Sequence, residues 1–282
     1  MWRQDSLTGR GAPADYDPGM ETTMSADGTT LAFDRLGDGP PVIVLAGATC
    51  TRGVTAPLAA ALAEHVTVIN VDRRGRGDSD DRSGAPPHDP AREVEDVAAL
   101  IAAAGGSAAV YGHSSGAGVA LRAAAAGIGV TRVVLHDAPY NLPGDEQDGR
   151  EWHAQLHGLL AAGRRGDAVA AFLTMVGVPA PVVAGMRSAP HWPAMEAVAA
   201  TLAHDSAAMG DRDGGLVPAE LLAQINVPAL VVVGGADHGF MVDVAASLVE
   251  GLADSRLDHL VGAGHDAGPE IVAPAILPFL TG

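Results

Sequence analysis

The chain has 282 residues, a formal net charge of −17 and 48% hydrophobic residues. Such an acidic balance argues against nucleic acids and anionic membranes as partners, and no apolar run approaches the ~20 residues of a membrane span. All 17 basic residues are arginines, which excludes Schiff-base chemistry, a lysine general base and a P-loop lysine. The lone cysteine, Cys50, excludes an internal disulfide and fits a reducing cytoplasm, where we expect the protein. Met1–Met20 has no apolar stretch and is interpreted as an N-terminal arm, not a signal peptide.

From residue 21 onward, predicted strands alternate with predicted helices. A hairpin comes first, with strands over Glu21–Ser25 and Thr29–Asp34. Apolar, β-branched runs predict six more strands: Pro41–Ala46, Val66–Val71, Ser107–Tyr111, Arg132–His136, Ala229–Val233 and Arg256–Val261. Helices are predicted over Ala56–Glu64, Glu93–Ala104, Gly116–Ala126, Phe240–Leu252 and Ala267–Leu280. The alternation indicates an α/β fold in which a mostly parallel sheet has helices on both faces.

One segment, residues 140–217, breaks this alternation because it has helical patterns and no convincing strand. We interpret it as a helical insertion, a lid on a core domain made of residues 21–139 and 218–282. Four of its large side chains are candidates for a substrate pocket: Trp152, Met175, Met186 and Trp192. Such residues can also form the insertion's own small core, and we expect this of roughly half of them.

The pentapeptide Gly112-His113-Ser114-Ser115-Gly116 lies between a predicted strand and a predicted helix. In that context, G-x-S-x-G predicts a nucleophile elbow, a sharp turn that presents the hydroxyl of Ser114 above the sheet. The two glycines remove side chains that would collide where strand and helix nearly touch. The alternative is an ordinary turn rich in glycine and serine.

A nucleophilic serine needs a base, and the base needs an acid that fixes its tautomer. Loops after two late strands supply both in the order Ser…Asp…His, and we predict His265 as the base and Asp237 as the acid. Alternatives remain open at other strand ends. His136 and His238 are alternative bases, and Asp137 is the alternative acid.

The developing oxyanion requires backbone N–H donors. We predict one at Ser115, the residue after the nucleophile, and the second in the loop Gly47-Ala48-Thr49, at Ala48.

These motifs and their order resemble the α/β-hydrolase superfamily, in its lidded form. The resemblance covers about Glu21 to Phe279 and rests on the motifs at residues 42–49, 72–79, 112–116, 235–237 and 264–265. It implies an eight-stranded, mostly parallel sheet, a Ser-Asp-His triad, and a structural role for the charges of Asp72–Ser79. One departure is Ala46-Gly47, where the superfamily often has His-Gly. Relatives that are dehalogenases or epoxide hydrolases use an aspartate at the elbow, so a serine argues against both.

The sequence therefore predicts a serine hydrolase that cleaves a carboxylic ester or thioester of a small to medium, largely apolar acyl substrate. We expect no cofactor and no metal, a small-molecule partner, and leave a homodimer open. An acyltransferase or tailoring enzyme could use the same triad. A third possible function, from a different class, is non-catalytic binding of a small molecule by the same fold. Loss of a triad residue would indicate such a protein, and here all three predicted triad residues are present.

Overall fold

The structure is a computed structural model that describes residues 19–84, 86–234, 236 and 239–282. Its strands are β1 (Met20–Met24), β2 (Thr30–Leu36), β3 (Pro41–Leu45), β4 (Thr67–Val71), β5 (Ala108–His113), β6 (Val130–His136), β7 (Ala229–Val233) and β8 (Ser255–His259). Its helices are α1 (Arg52–Leu62), α2 (Ala91–Ala103), α3 (Ser115–Ala125), α4 (Glu146–Ala161), α5 (Arg165–Met175), α6 (Ala180–Met186), α7 (Trp192–Ala197), α8 (Leu202–Ala208), α9 (Ala219–Leu222), α10 (Phe240–Gly251) and α11 (Pro269–Thr281). The predicted arm at residues 1–20 lies outside the described residues up to residue 18, and Met20 already belongs to β1.

The eight strands form one sheet in the order β1-β2-β4-β3-β5-β6-β7-β8. Pairing is antiparallel at β1–β2 and β2–β4 and parallel at every other step, so the predicted α/β class is confirmed. The parallel register aligns the carboxyl ends of the central strands, since Leu45 pairs with Gly112, His113 with His136, and His136 with Val232. The loops that follow β3, β5, β6 and β7 therefore leave the sheet along one edge.

Apolar side chains cover both faces of this sheet. One face packs against α2, α3 and α10 around Ile43, Val110 and Leu135. The other packs against α1 and α11 around Val44 and Val232. Because neighbouring residues of a strand point to opposite faces, continuous apolar runs are what a sheet buried on both sides requires.

Helices α4–α8 belong to the segment between β6 and α9. A bridge between Asn141 and Leu216 closes the two ends of this segment. The Asn141 N–H donates to the carbonyl of Gly215 at 2.7 Å, and the Val217 N–H donates to the carbonyl of Asn141 at 3.1 Å. The helices have a core of their own that includes Val169 and Leu173. We call residues 140–217 the insertion.

Across the described part of the chain, none of the helices has the length and apolar character needed to cross a membrane.

Candidate active site

Strand β5 ends at His113 and α3 begins at Ser115, so Ser114 forms the turn between them. Its backbone has φ 55° and ψ −127°, a conformation that L-residues rarely adopt. The turn is tight on both sides. A Cβ on Gly112 would lie 2.3 Å from the carbonyl oxygen of Gly116, and one on Gly116 would lie 2.4 Å from that of Leu45. The local geometry is that of a nucleophile elbow.

Backbone strain marks three positions at this edge of the sheet. Among the described residues, the non-glycine residues with positive φ are Thr49, Ser114 and Asp137, at 59°, 55° and 47°. They follow β3, β5 and β6, respectively, in the loops that the register brings together. Strain of this kind costs on the order of 1–3 kcal/mol per residue and is found mainly at functional sites.

Asp137 contacts the predicted base. Its Oδ2 lies 3.2 Å from Nδ1 of His265, and its Oδ1 accepts the backbone N–H of Gly234 at 2.9 Å. Burial alone would raise the pKa of Asp137, but the hydrogen bond from His265 and the charges of His136 and His265 lower it below its ordinary value. The carboxylate is therefore ionised and oriented by two donors. Asp237, the predicted acid, lies outside the described residues, so its role stays a prediction.

His113, in the elbow itself, joins the histidine loop to the nucleophile turn. Its Nε2–H donates to the backbone carbonyl of His265 at 3.0 Å, and the two ring centroids are 4.5 Å apart. Burial, followed by the charges of His265 and His136, holds the pKa of His113 well below its ordinary value. The imidazole of His113 is thus neutral and forms part of the wall beside His265.

Of the two alternative bases, His136 is buried in the sheet, and its Nδ1 lies 2.7 Å from the hydroxyl of Tyr111. Burial lowers its pKa to about 4. A ring this enclosed cannot take a proton from a serine that faces a substrate. His238 lies outside the described residues.

In the described part of the chain, three side chains near the predicted base could together hold a metal ion: His113, His136 and Asp137. One ligand atom each from His113, His136 and Asp137 lies within 4.8 Å of the others. Two of these residues already contact His265: His113 donates to its backbone carbonyl, and the carboxylate of Asp137 lies beside its Nδ1. We therefore assign this cluster to the surroundings of the predicted catalytic histidine.

The predicted oxyanion residues lie on either side of the nucleophile. A Cβ on Gly47 would lie 2.9 Å from Cβ of Ser114, so the loop that holds Ala48 passes directly beside the elbow. Ser115 is the first residue of α3, and the first N–H groups of a helix have no intrahelical acceptor. The residues predicted to donate these N–H groups thus belong to two segments that meet at Ser114, and their role in an oxyanion hole stays a prediction.

Each charged side chain of Asp72–Ser79, in the loop after β4, forms an ion pair. Asp72 binds Arg52, and Arg74 binds Asp96 through two contacts of 2.7 and 2.5 Å. Arg73 binds Glu93 through contacts of 2.7 and 2.9 Å. These pairs are buried or nearly so and fasten the loop to the rest of the core.

Asp205, on α8 of the insertion, was missed by the sequence analysis. Its Oδ1 accepts hydrogen bonds from Ser115, Arg73 and Arg76. These partners lie 90–132 residues from Asp205 along the chain, so no local sequence pattern indicates the contacts. The usable signal was charge balance, because buried arginines in the loop after β4 require buried carboxylates elsewhere.

The four predicted pocket residues separate into two pairs. Trp152 and Met175 line an open groove of about 570 Å³ between α4 and α5, together with Asp148, Glu151, Gln155, Ala170, Ala171 and Thr174. Trp152 also packs in a cluster with Leu156 that includes Ala48 of the oxyanion loop.

Met186 and Trp192 are each 5% exposed and pack in the insertion's core, where the indole N–H of Trp192 donates to Glu196 at 2.8 Å. Their assignment to the pocket is corrected, because both side chains fill the inside of the insertion.

A serine elbow, a histidine loop and a paired aspartate at one edge of an eight-stranded, mostly parallel sheet define the α/β-hydrolase architecture. The family model described as "Alpha/beta hydrolase family" matches residues 42–275, and the chain belongs to this family. Membership, with esterases among the similar structures, supports a hydrolase enzyme.

Two solved structures illustrate the similarity. An alpha/beta hydrolase from Sphaerobacter thermophilus DSM 20745 is 46% identical, with a TM-score of 0.79, and the match covers 93% of this chain and 100% of that one. An esterase from Rhodococcus sp. ECU1013 is 25% identical, with a TM-score of 0.65, over 92% of this chain and 96% of that one.

Proposed function

We propose that the protein is a serine hydrolase that cleaves carboxylic esters or thioesters through an acyl-enzyme on Ser114. The observation on which this depends most is the Asp137–His265 pair, 3.2 Å apart, at the sheet edge where Ser114 forms the elbow. The carbonyl of His265 also accepts a hydrogen bond from the side chain of His113, which directly precedes Ser114 in the chain. The esterase among the similar structures supports the same reaction class.

In this mechanism, Oγ of Ser114 attacks the acyl carbonyl while Nε2 of His265 takes the hydroxyl proton. The carbonyl oxygen becomes an oxyanion that accepts the N–H groups of Ala48 and Ser115. When the tetrahedral intermediate collapses, the bond to the alcohol or thiol breaks, and His265 gives its proton to that leaving group. Water then attacks the acyl-enzyme with the same histidine as base, which releases the acid and restores Ser114.

Asp137 has two tasks in this scheme. It accepts Nδ1–H of His265, which makes Nε2 the ring nitrogen that takes the serine proton, and its negative charge stabilises the imidazolium that forms. The bond from Gly234 to the other oxygen keeps the carboxylate from rotating away.

We place the acyl group in the groove because Trp152, one of its lining residues, packs in the same cluster as Ala48 of the oxyanion loop, and the lining of the groove favours an apolar, uncharged substrate. Its lining includes Trp152 and Met175, while its charged residues, Asp148 and Glu151, are both acidic and would repel an anion. The arginines at positions 150, 164, 165 and 187 of the insertion are all exposed. These four arginines therefore do not form a buried cluster that could bind the carboxylate of a substrate.

The experiment that tests the proposal is turnover of p-nitrophenyl esters by Ser114→Ala. If the triad acts as a unit, we expect a loss of roughly 10⁴-fold or more. The exposed Ser188 offers a matched control, since Ser188→Ala also removes one hydroxyl and should retain full activity. Unchanged turnover in Ser114→Ala would remove the basis of the proposal.

A second experiment tests the substrate class. We expect p-nitrophenyl butyrate to be hydrolysed with a higher kcat/KM than the mono-p-nitrophenyl ester of succinate, because the acidic side chains of the groove repel the free carboxylate of the succinyl group. Glu151→Gln should narrow the difference. A preference for the anionic ester in the wild-type protein would refute the apolar, neutral substrate class.

A further inference from the structure

Helix α8 of the insertion places one carboxylate beside the serine elbow. Asp205 is 6% exposed, and a single oxygen, Oδ1, accepts three hydrogen bonds. Ser115 Oγ donates at 2.7 Å, Arg73 Nη1 at 2.9 Å and Arg76 Nη2 at 2.7 Å. One atom of the insertion therefore joins the residue after the nucleophile to two arginines of the loop after β4.

The two arginines extend this contact to the loop after β3. Arg73 Nη1 donates to the carbonyl of Ala46 at 3.0 Å, and Arg76 Nη1 donates to the carbonyl of Gly47 at 2.6 Å. The Gly47 carbonyl and the Ala48 N–H belong to the same peptide unit, and in a trans peptide they point in opposite directions. Because Arg76 holds that carbonyl, it also fixes the direction of the Ala48 N–H, on the side of the peptide away from the arginine.

The cluster is charge-balanced and buried, so it tolerates little change. Arg73 and Arg76 face Glu93 and Asp205, which gives two positive and two negative groups. Burial alone would raise the pKa of Asp205, but Arg76 and Arg73 lower it below its ordinary value, and the carboxyl is ionised. Removal of one charge from such a buried group leaves its partners uncompensated, which costs more than an exposed pair would.

We propose that Asp205 is a positioning residue for the oxyanion hole, which holds both predicted donors from one carboxylate of the insertion. It orients Ser115 through the hydroxyl of that residue, and Ala48 through Arg76 and the Gly47 carbonyl. The insertion thereby sets the geometry of transition-state stabilisation. The inference rests on the proposed function, since an oxyanion hole has a role only if Ser114 attacks a carbonyl.

The test compares Asp205→Asn with a matched control on the same helix. Asp205→Asn keeps the size of the side chain and removes the charge. Because loss of an oxyanion donor lowers kcat by about 100-fold or more, we expect a fall of that order in kcat with KM within threefold. Affinity for a trifluoromethyl ketone, which forms a tetrahedral oxyanion with the serine, should fall in parallel.

The control is His204→Gln. It alters other contacts between α8 and the core, the 2.8 Å pair of His204 with Asp81 and the stacking of His204 on His88, and keeps the carboxylate of Asp205. We expect a lower melting temperature in this variant, with kcat and ketone affinity unchanged at temperatures well below unfolding. A purely structural role for Asp205 would give both variants the same behaviour.

Ser115→Ala provides a second route if Asp205→Asn does not fold. It retains the backbone N–H and removes only the hydroxyl that Asp205 holds, so we expect about a tenfold fall in kcat. Retention of wild-type kcat and ketone affinity in folded Asp205→Asn, or in Ser115→Ala where the first variant is unfolded, overturns the proposal.

Failure of the proposed function has a different signature. In that case Ser114→Ala retains turnover, or the wild-type protein does not bind the trifluoromethyl ketone at all. If the wild type binds the ketone and needs Ser114, while Asp205→Asn matches it, only the positioning role is wrong.

Discussion

At the scale of single residues, the site is built from strained backbone. Thr49, Ser114 and Asp137 adopt positive φ without being glycine. Ser114 and Asp137 directly follow β5 and β6, and Thr49 lies in the loop after β3. Such conformations persist only where the surroundings hold them. The bond from Ser114 N–H to the carbonyl of His136, at 2.9 Å, and the two bonds to the Asp137 carboxylate supply this restraint.

A comparison of two aspartate variants tests which acid serves His265. We expect Asp137→Asn to lower kcat by about 10³–10⁴-fold, because an amide at this position favours the wrong tautomer of the histidine. On the proposed assignment of Asp137 as the acid, Asp237→Asn should cause a much smaller loss. Both variants are measured with p-nitrophenyl butyrate, after circular dichroism has shown that they fold. The opposite order of losses would support the sequence prediction that Asp237 is the acid.

The sequence predicted Ser114, His265 and Asp237, with Asp137 as the alternative acid, and the two acids are hard to separate by sequence for a geometrical reason. Asp137 and Asp237 follow β6 and β7, which are neighbours in the sheet. Neighbouring strands are only about 4.8 Å apart, so a carboxylate from either loop can reach one histidine. Asp205 was inaccessible to the same reasoning, since its contacts depend on how α8 packs onto the core.

At the scale of secondary-structure elements, apolar runs located the strands well because the sheet is buried on both faces. Helix starts were harder to predict. Helix α1 was expected from Ala56 but begins at Arg52, whose backbone N–H donates to the carboxylate of Asp72 at 2.7 Å. That acceptor lies 20 residues away along the chain, so no capping signal next to the helix could have revealed the start.

Two glycines in helices are expected to respond in opposite ways to alanine. Gly158 lies exposed in α4, and a Cβ there would have no heavy atom within 4 Å. We expect Gly158→Ala to raise the free energy of unfolding by about 0.5–1 kcal/mol, because alanine loses less backbone entropy in a helix. Urea denaturation measures this. No gain in stability would show that this face of α4 is more crowded than described.

Gly116→Ala is the counterpart in α3. Its new Cβ would lie 2.4 Å from the carbonyl oxygen of Leu45, a backbone atom that cannot move aside cheaply. We expect a loss of roughly 1–3 kcal/mol in the same urea experiment. Equal stabilities of wild type and Gly116→Ala would contradict the close contact between α3 and β3.

At the scale of the whole molecule, the fold buries several histidines in neutral form. Burial, with neighbouring His204 in the first case and His157 in the third, lowers the pKa of His88, His136 and His153 to about 4 each. An unfolded histidine has a pKa of about 6.5. Between these values the unfolded chain binds more protons than the folded one, so the free energy of unfolding rises with pH.

We therefore expect stability to fall progressively as the pH is lowered from about 6.5 towards 4. The carboxylates with lowered pKa, such as Asp137, contribute below this window, since their ordinary value is 3.8. Urea denaturation at pH 7, 6 and 5 measures the slope. His88→Gln should reduce it, while replacement of the exposed His259 by glutamine should leave it unchanged. Constant stability between pH 7 and 5 would mean that these rings are not neutral in the folded protein.

The most direct test of the account is covalent labelling of the elbow serine. Intact-mass analysis after reaction with a fluorophosphonate should show a single adduct, and peptide mapping should place it on Ser114. Ser114→Ala should take up no label, and Asp137→Asn should react much more slowly than wild type because His265 is no longer held as a base. A folded wild-type protein that stays unlabelled, or carries its adduct on another residue, would contradict the assignment of Ser114 as an activated nucleophile.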